Sequence, residues 1–314
     1  MSRAFIFPGQ GAQAIGMGRD LAQTYPAAKA VFEAVDDALN EKLSDLIWNG
    51  DQDTLTLTRN AQPALMATSL AAMAALRVEG IEITAAAYVA GHSLGEYSAL
   101  AATGALSLAD TARLLRIRGD AMQSAVPLGD GKMAAILGLD YAAVANIAAE
   151  AAQGDICTAA NDNDPAQVVI SGHGAAVARA IEIAKQNGAK RAVMLPVSAP
   201  FHCALMQPAA DAMQTALAQV DLKAPAIALV NNVTARAQTN PAQIRVDLVA
   251  QVTGRVRWRE SVMWMIDQGV SEMWEIGAGK ALSGMVKRVD RTIATRPVGT
   301  TEDIKTAAQD WAGT

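Results

Sequence analysis

Short apolar runs closed by glycine alternate along this chain with longer segments whose apolar residues recur at helical spacing. Residues 3–7 run into Pro8-Gly9 and residues 86–90 into Gly91, the pattern of buried strands that end in a tight turn. Helical periodicity covers residues 25–40, 63–79, 94–103 and 108–125, the last opened by Ser107 and Asp110 in an S-x-x-D capping pattern. Strands alternating with helices in this way predict an α/β protein with a mostly parallel sheet covered by helices.

The turn-rich Val126-Pro127-Leu128-Gly129-Asp130-Gly131 interrupts that alternation. Beyond it the pattern reads strand (133–139), helix (141–152), strand (156–160), strand (167–171), helix (175–187) and strand (191–195). This is β-α-β-β-α-β, the ferredoxin-like order. We therefore expect a compact ferredoxin-like small domain over residues 127–197, inserted into a large domain made of residues 1–126 and 198–314. The large domain resumes near Ser198, with strands at 227–230 and 272–276 among helices at 241–252, 258–268 and 280–289.

The length of 314 residues accommodates two such domains. Hydrophobic residues at 51% and charged residues at 18% exclude disorder, and a net charge of −5 is the wrong sign for non-specific nucleic-acid binding. Cys157 and Cys203 lie far apart with no C-x-x-C spacing, so neither a disulfide framework nor a thiolate zinc site is expected, and a reducing cytoplasm fits. Met-Ser-Arg leads straight into apolar 4–7 without the apolar core and cleavage site of a signal peptide. The apolar stretch 64–76, interrupted by Thr68 and Ser69, falls short of the roughly 20 residues of a membrane span and reads as a buried helix.

Gly91-His92-Ser93-Leu94-Gly95 is a G-x-S-x-G between a predicted strand and a predicted helix. A serine on such a turn is pushed out of the end of the sheet while the glycines relieve crowding. Its hydroxyl then stands at a helix N-terminus, where free N–H groups, that of Leu94 among them, can stabilise an oxyanion. The competing reading is that Ser93 merely caps the helix. A serine nucleophile needs a base, and the chain has three histidines. His92 adjoins Ser93 and should leave the turn in another direction, and His173 reads as a solvated turn residue of the insertion. His202, where the chain re-enters the large domain, remains as the candidate. No carboxylate stands out as a third member: Asp155, Asp162 and Asp164 lie in the insertion and Asp110 caps a helix. A backbone carbonyl can fix the histidine tautomer equally well.

On the helix after Ser107, residues Leu114, Leu115, Ala121, Met122 and Ala125 form one apolar stripe with Arg118 in its middle. Arg113, Arg116 and Asp120 fall on the other face, where Arg116 and Asp120 can pair in solvent. A guanidinium on a buried face needs acceptors: Arg118 is either half of an internal ion pair or a bidentate clamp for a substrate carboxylate. Two glycine motifs are decoys. Gly9-Gln10-Gly11-Ala12-Gln13-Ala14 lacks the acidic residue of a dinucleotide site, and Gly277-Ala278-Gly279-Lys280 lacks the spacer and hydroxyl of a phosphate loop.

Five segments together resemble the malonyl-CoA:acyl carrier protein transacylases, in order and over nearly the whole chain. They are Phe7-Pro8-Gly9-Gln10-Gly11-Ala12-Gln13, Gly91-His92-Ser93-Leu94-Gly95-Glu96, Arg116-Ile117-Arg118-Gly119, Gln167-Val168-Val169-Ile170-Ser171-Gly172 and Ala199-Pro200-Phe201-His202. The resemblance implies a hydrolase-like large domain, a ferredoxin-like small domain and an active site between them. It implies that Ser93 is acylated, that His202 is the base, and that the backbone N–H groups of Gln10 and Leu94 form the oxyanion hole. It further implies that Arg118 holds the malonyl carboxylate and that the main-chain carbonyl of Gln251 orients the histidine. The expected reaction moves malonyl from malonyl-CoA to the phosphopantetheine thiol of acyl carrier protein through malonyl-serine, in the cytoplasm, with no metal or cofactor, by a monomer that binds neither nucleic acid nor membrane. A thioesterase, the transacylase of a malonate decarboxylase and an inactive carrier-docking module are the competing readings. Docking an acidic carrier would require a local basic patch, for which Lys190, Arg191, Lys287 and Arg288 are candidates.

Overall fold

A computed structural model describes residues 2–127, 129–197 and 199–312. Leu128 of the expected linker, Ser198 at the expected return to the large domain, and the terminal residues 1, 313 and 314 lie outside the described residues. The strands are β1 (Ser2–Phe7), β2 (Tyr88–Gly91), β3 (Gly131–Leu137), β4 (Cys157–Asp164), β5 (Gln167–His173), β6 (Arg191–Met194), β7 (Ala228–Val230), β8 (Ala237–Gln238), β9 (Val270–Ile276) and β10 (Ala294–Val298).

They form two sheets. The larger is six-stranded in the order β10-β9-β1-β2-β7-β8, parallel throughout except for the antiparallel β7–β8 pair. The protein is thus mixed α/β, as its alternating pattern predicts. β1 shows why residues 4–7 are continuously apolar: Phe5 and Phe7 pack into one core with Leu65 and Trp274, while Ala4 and Ile6 face a second core with Trp258 and Met265. A parallel strand buried on both faces has no position left for a polar side chain. β10 was not foreseen, because Pro297 argues against a strand. It is an edge strand, where a missing N–H is tolerated. Among the described residues no helix is long and apolar enough to cross a membrane.

The smaller sheet is antiparallel in the order β4-β5-β3-β6. With helices Tyr141–Ala152 and Gly174–Gln186 it follows the expected β-α-β-β-α-β order, and its own core includes Ile136, Val144, Ile147, Val168 and Ile170. The strand expected at 156–160 continues to Asp164, through Asn161-Asp162-Asn163-Asp164. Four polar residues in a row read as a loop, but all four are buried against the large-sheet half of the chain. Asp162 N–H donates to Val256 O, and Val256 N–H to Ala160 O. Arg259 grips the Asp162 carboxylate through Nε at 3.0 Å and Nη2 at 2.9 Å, and Arg288 Nε reaches Asp164 at 2.6 Å. Arg288, a candidate for the basic patch, is therefore also a tie between the two sheets' halves of the chain, its side chain half exposed.

The helix expected at 63–79 begins earlier, at Thr58, and spans Thr58–Val78 with Pro63 inside it. Proline at a first helical turn is the ordinary reading. Here its missing N–H orphans the Arg59 carbonyl one turn back, and Arg116 Nη1 donates to that carbonyl at 2.9 Å. Arg116 is accordingly buried rather than paired with Asp120 in solvent, and Asp120 is taken by Arg59. The neighbouring helix Leu108–Ser124 starts as expected, with the Ser107 hydroxyl accepting from Asp110 N–H.

Candidate active site

β2 ends at Gly91 and the helix Gly95–Ala102 begins four residues later, leaving Ser93 on the turn between them with φ of 54°. The left-handed region costs a serine energy that the surroundings must offset. Two side-chain amides do so: Ser93 N–H donates to Asn232 Oδ1 at 2.7 Å, and Gln251 Nε2 donates to Ser93 O at 2.9 Å. Asn232, just past β7, also donates to Gly91 O. The glycines are required by space. A Cβ on Gly91 would stand 1.9 Å from the Gly95 carbonyl carbon, and one on Gly95 would stand 2.2 Å from Phe7 O. The Phe7–Gly9 turn is pressed against this elbow, since a Cβ on Gly9 would meet His92 O at 2.6 Å. Gln10 follows directly. Leu94 stands at the N-cap of the next helix, whose first N–H groups have no partner within the helix.

Ser93 Oγ lies 2.8 Å from His202 Nε2, and His202 Nδ1 lies 2.9 Å from Gln251 O. A carbonyl only accepts, so Nδ1 carries the proton and Nε2 is left as the acceptor for the serine hydroxyl. His202 is buried, with its pKa pushed down to about 3 by loss of water and then by the Arg118 charge. The free site therefore holds a neutral imidazole across the neutral range. His92 turns away, as expected: its Nε2 lies 2.9 Å from Asn163 Oδ1 on β4. His173 is only half exposed, and its Nδ1 accepts from Ile156 N–H.

Arg118 is 1% exposed. Its Nη1 donates to Gln62 Oε1 at 2.7 Å, and its Nη2 to Gln251 Oε1 at 2.9 Å and Ser93 Oγ at 3.1 Å. None of these acceptors is a carboxylate, so the ion-pair reading of Arg118 fails on geometry. Glu96 makes no hydrogen bond to the guanidinium and, when ionised, acts on it only through space. Burial raises the Glu96 carboxyl to about 8, leaving it protonated at neutral pH and the cation uncompensated.

The structure thus brings Ser93, His202, Arg118 and Gln251 into direct contact, with Leu94 on the same turn and Gln10 beside it. Reading the sequence missed Gln62, Asn232 and Glu96. Glu96 carried a signal: it stands at the second position of the helix Gly95–Ala102, on the same face as Ala99 and Leu100 three and four residues on, and an apolar stripe of this kind faces the core. Gln62 and Asn232 carried none, because an amide marks neither burial nor exposure.

Residues 4–277 match the acyl transferase domain family, and the chain belongs to that family. Within it, the chain is similar to the malonyl CoA-acyl carrier protein transacylases of Bacillus subtilis (47% identical, over 98% of this chain and 96% of the relative) and Escherichia coli K12 (46%, over 92% and 93%). Its structure superposes on the acyl-carrier-protein-S-malonyltransferase of Bartonella henselae with a TM-score of 0.97 at 54% identity, covering 99% of this chain and 100% of that one. A malonyl-transacylase in complex with a type II PKS acyl-carrier protein superposes at 0.96 with 41% identity, covering 99% and 100%.

Proposed function

We propose that this chain transfers malonyl from malonyl-CoA to the phosphopantetheine thiol of an acyl carrier protein through a malonyl-Ser93 intermediate. Ser93 Oγ attacks the thioester carbonyl as His202 Nε2 takes its proton. The Gln10 and Leu94 N–H groups hold the oxyanion. Collapse expels the CoA thiolate, which takes the proton from His202. The carrier thiol then gives its proton to His202, attacks the malonyl ester and restores the serine. The Gln251 carbonyl keeps His202 in the tautomer this needs, and Arg118 holds the malonyl carboxylate. No metal or cofactor enters the scheme.

A single observation carries this reading. Beside the Ser93–His202 pair stands a buried arginine whose acceptors are all neutral, as a carboxylate-bearing acyl group requires and a plain thioesterase does not. We read the architecture as a hydrolase-like large domain (residues 1–126 and 198–314) around a ferredoxin-like small domain (127–197), in a cytoplasmic monomer. The strand order of the small sheet supports that name for it.

The test is intact-protein mass spectrometry after brief exposure to malonyl-CoA. A single malonyl adduct should map to the Ser93 peptide, vanish in Ser93→Ala and form about 10²–10⁴-fold more slowly in His202→Ala. An undiminished adduct in Ser93→Ala would end the assignment, and rapid release of malonate with no acceptor present would make the enzyme a thioesterase.

A further inference from the structure

We propose that Thr58 is a positioning residue that sets the carboxylate clamp and the oxyanion loop from one hydrogen-bonded chain. The proposal rests on the reading above, in which Arg118 holds the malonyl carboxylate and Gln10 N–H lines the oxyanion hole. Arg118 Nη1 donates to Gln62 Oε1 at 2.7 Å, Gln62 Nε2 donates to Thr58 Oγ1 at 2.9 Å, and Thr58 Oγ1 donates to Gln10 Oε1 at 2.8 Å.

The direction of every bond follows from the first. A guanidinium has no acceptor, so Gln62 must present its oxygen to Arg118 and its nitrogen to Thr58. The Thr58 hydroxyl, accepting there, has its own proton free for Gln10 Oε1. All three donors therefore point away from the cation, the arrangement in which each bond polarises the next. Thr58 and Gln62 are buried one turn apart on the helix Thr58–Val78, so the links cannot be replaced by bulk water. At the far end Gln10 follows Gly9, which is packed against the His92 carbonyl with no room for a side chain. The placement of Gln10 relative to Ser93 thus depends on a chain whose other end is the guanidinium that receives the malonyl carboxylate. Carboxylate recognition is then expressed in turnover as well as in binding. Thr58 touches neither substrate nor reacting atoms and acts only through its two neighbours.

Thr58→Val keeps the branched shape and deletes both bonds. We expect kcat for malonyl transfer to fall between about 10- and 100-fold, the scale of a misplaced catalytic group, with KM for malonyl-CoA within about threefold. The slow transfer of acetyl, which does not use the clamp, should fall less, so that the malonyl-to-acetyl ratio of kcat/KM drops. Thr58→Ser, which restores the hydroxyl, should return to within about threefold of the wild type. A wild-type kcat in Thr58→Val, an equal fall for both acyl groups, or a Thr58→Ser as impaired as Thr58→Val would overturn the proposal. If Thr58→Val loses its cooperative melt, Gln10→Met cuts the same chain at its less buried end and carries the same expectations. A wild-type enzyme that forms no malonyl-Ser93 would instead remove the underlying reading; a normal adduct with an unimpaired Thr58→Val removes the Thr58 proposal alone.

Discussion

Arg116 and Arg118 stand two positions apart on the helix Leu108–Ser124, and both are buried. Arg116 is enclosed by groups that the fold itself leaves in need of a donor. Its Nη1 serves the Arg59 carbonyl orphaned by Pro63 and the Asn60 side chain at 2.7 Å, and its Nη2 meets the Glu41 carboxylate at 2.7 Å. Arg118 meets two amide oxygens and the Ser93 hydroxyl, and the nearby carboxyl, Glu96, is held protonated. The first cation is balanced inside the chain, and the second has only neutral hydrogen-bond acceptors, which is what the proposed carboxylate clamp requires. Burial alone therefore does not distinguish a structural arginine from one that recognises an anion. The charge already present on its acceptors does.

The widest separation between the two should come from truncating each. Arg118→Ala removes the counter-charge that the proposed malonyl carboxylate would meet, a loss of about 3–5 kcal/mol, so kcat/KM for malonyl-CoA should fall roughly 10²–10³-fold. Acetyl transfer should hold steady or improve, because acetyl-CoA leaves the guanidinium unpaired in the wild type. Steady-state rates with both thioesters check this; a parallel fall in both, with a lowered melting temperature, would place Arg118 in the same class as Arg116.

Arg116→Ala should show the opposite pattern. The Arg59 carbonyl and Asn60 lose a buried donor, which costs about 1–3 kcal/mol of stability, while kcat/KM per folded molecule stays within about threefold. Urea unfolding beside an active-site titration of Ser93 measures both. A loss of turnover without loss of stability would dissolve the contrast.

A third measurement concerns the Glu96 carboxyl beside Arg118. Glu96 is raised to about 8 in the folded protein, from an ordinary value near 4.5. The folded state therefore binds more protons than the unfolded state between those values, and this contribution to stability is lost as pH rises from about 4.5 to about 8. His202, held down at about 3, gives the reverse slope, its contribution lost as pH falls below about 6.5. Glu96→Gln removes the first slope only. Its urea midpoint, compared with the wild type at pH 5, 6.5 and 8, should gain on the wild type as pH rises. A constant difference would mean that Glu96 is ionised throughout and that Arg118 is compensated after all.

Sequence alone determined what a single element can express. The G-x-S-x-G turn follows from two glycines that leave room for a backbone crossing. The capped start at Ser107 follows from side-chain spacing, and so does the burial of Arg118 from its place in an apolar stripe. The order of elements in the small sheet was legible because each has its own period. Partners were not legible, because periodicity reports which way a side chain faces and nothing about what stands opposite. The acceptors of Arg118 come from 25, 56 and 133 residues away. The same limit explains why Asn161-Asp162-Asn163-Asp164 read as a loop and Arg116 as a surface charge. Polar residues were assigned to solvent by default, and only the tertiary structure, by bringing Val256, Arg259 and Arg288 to one and the Arg59 carbonyl orphaned by Pro63 to the other, supplied the hydrogen bonds that let them be buried.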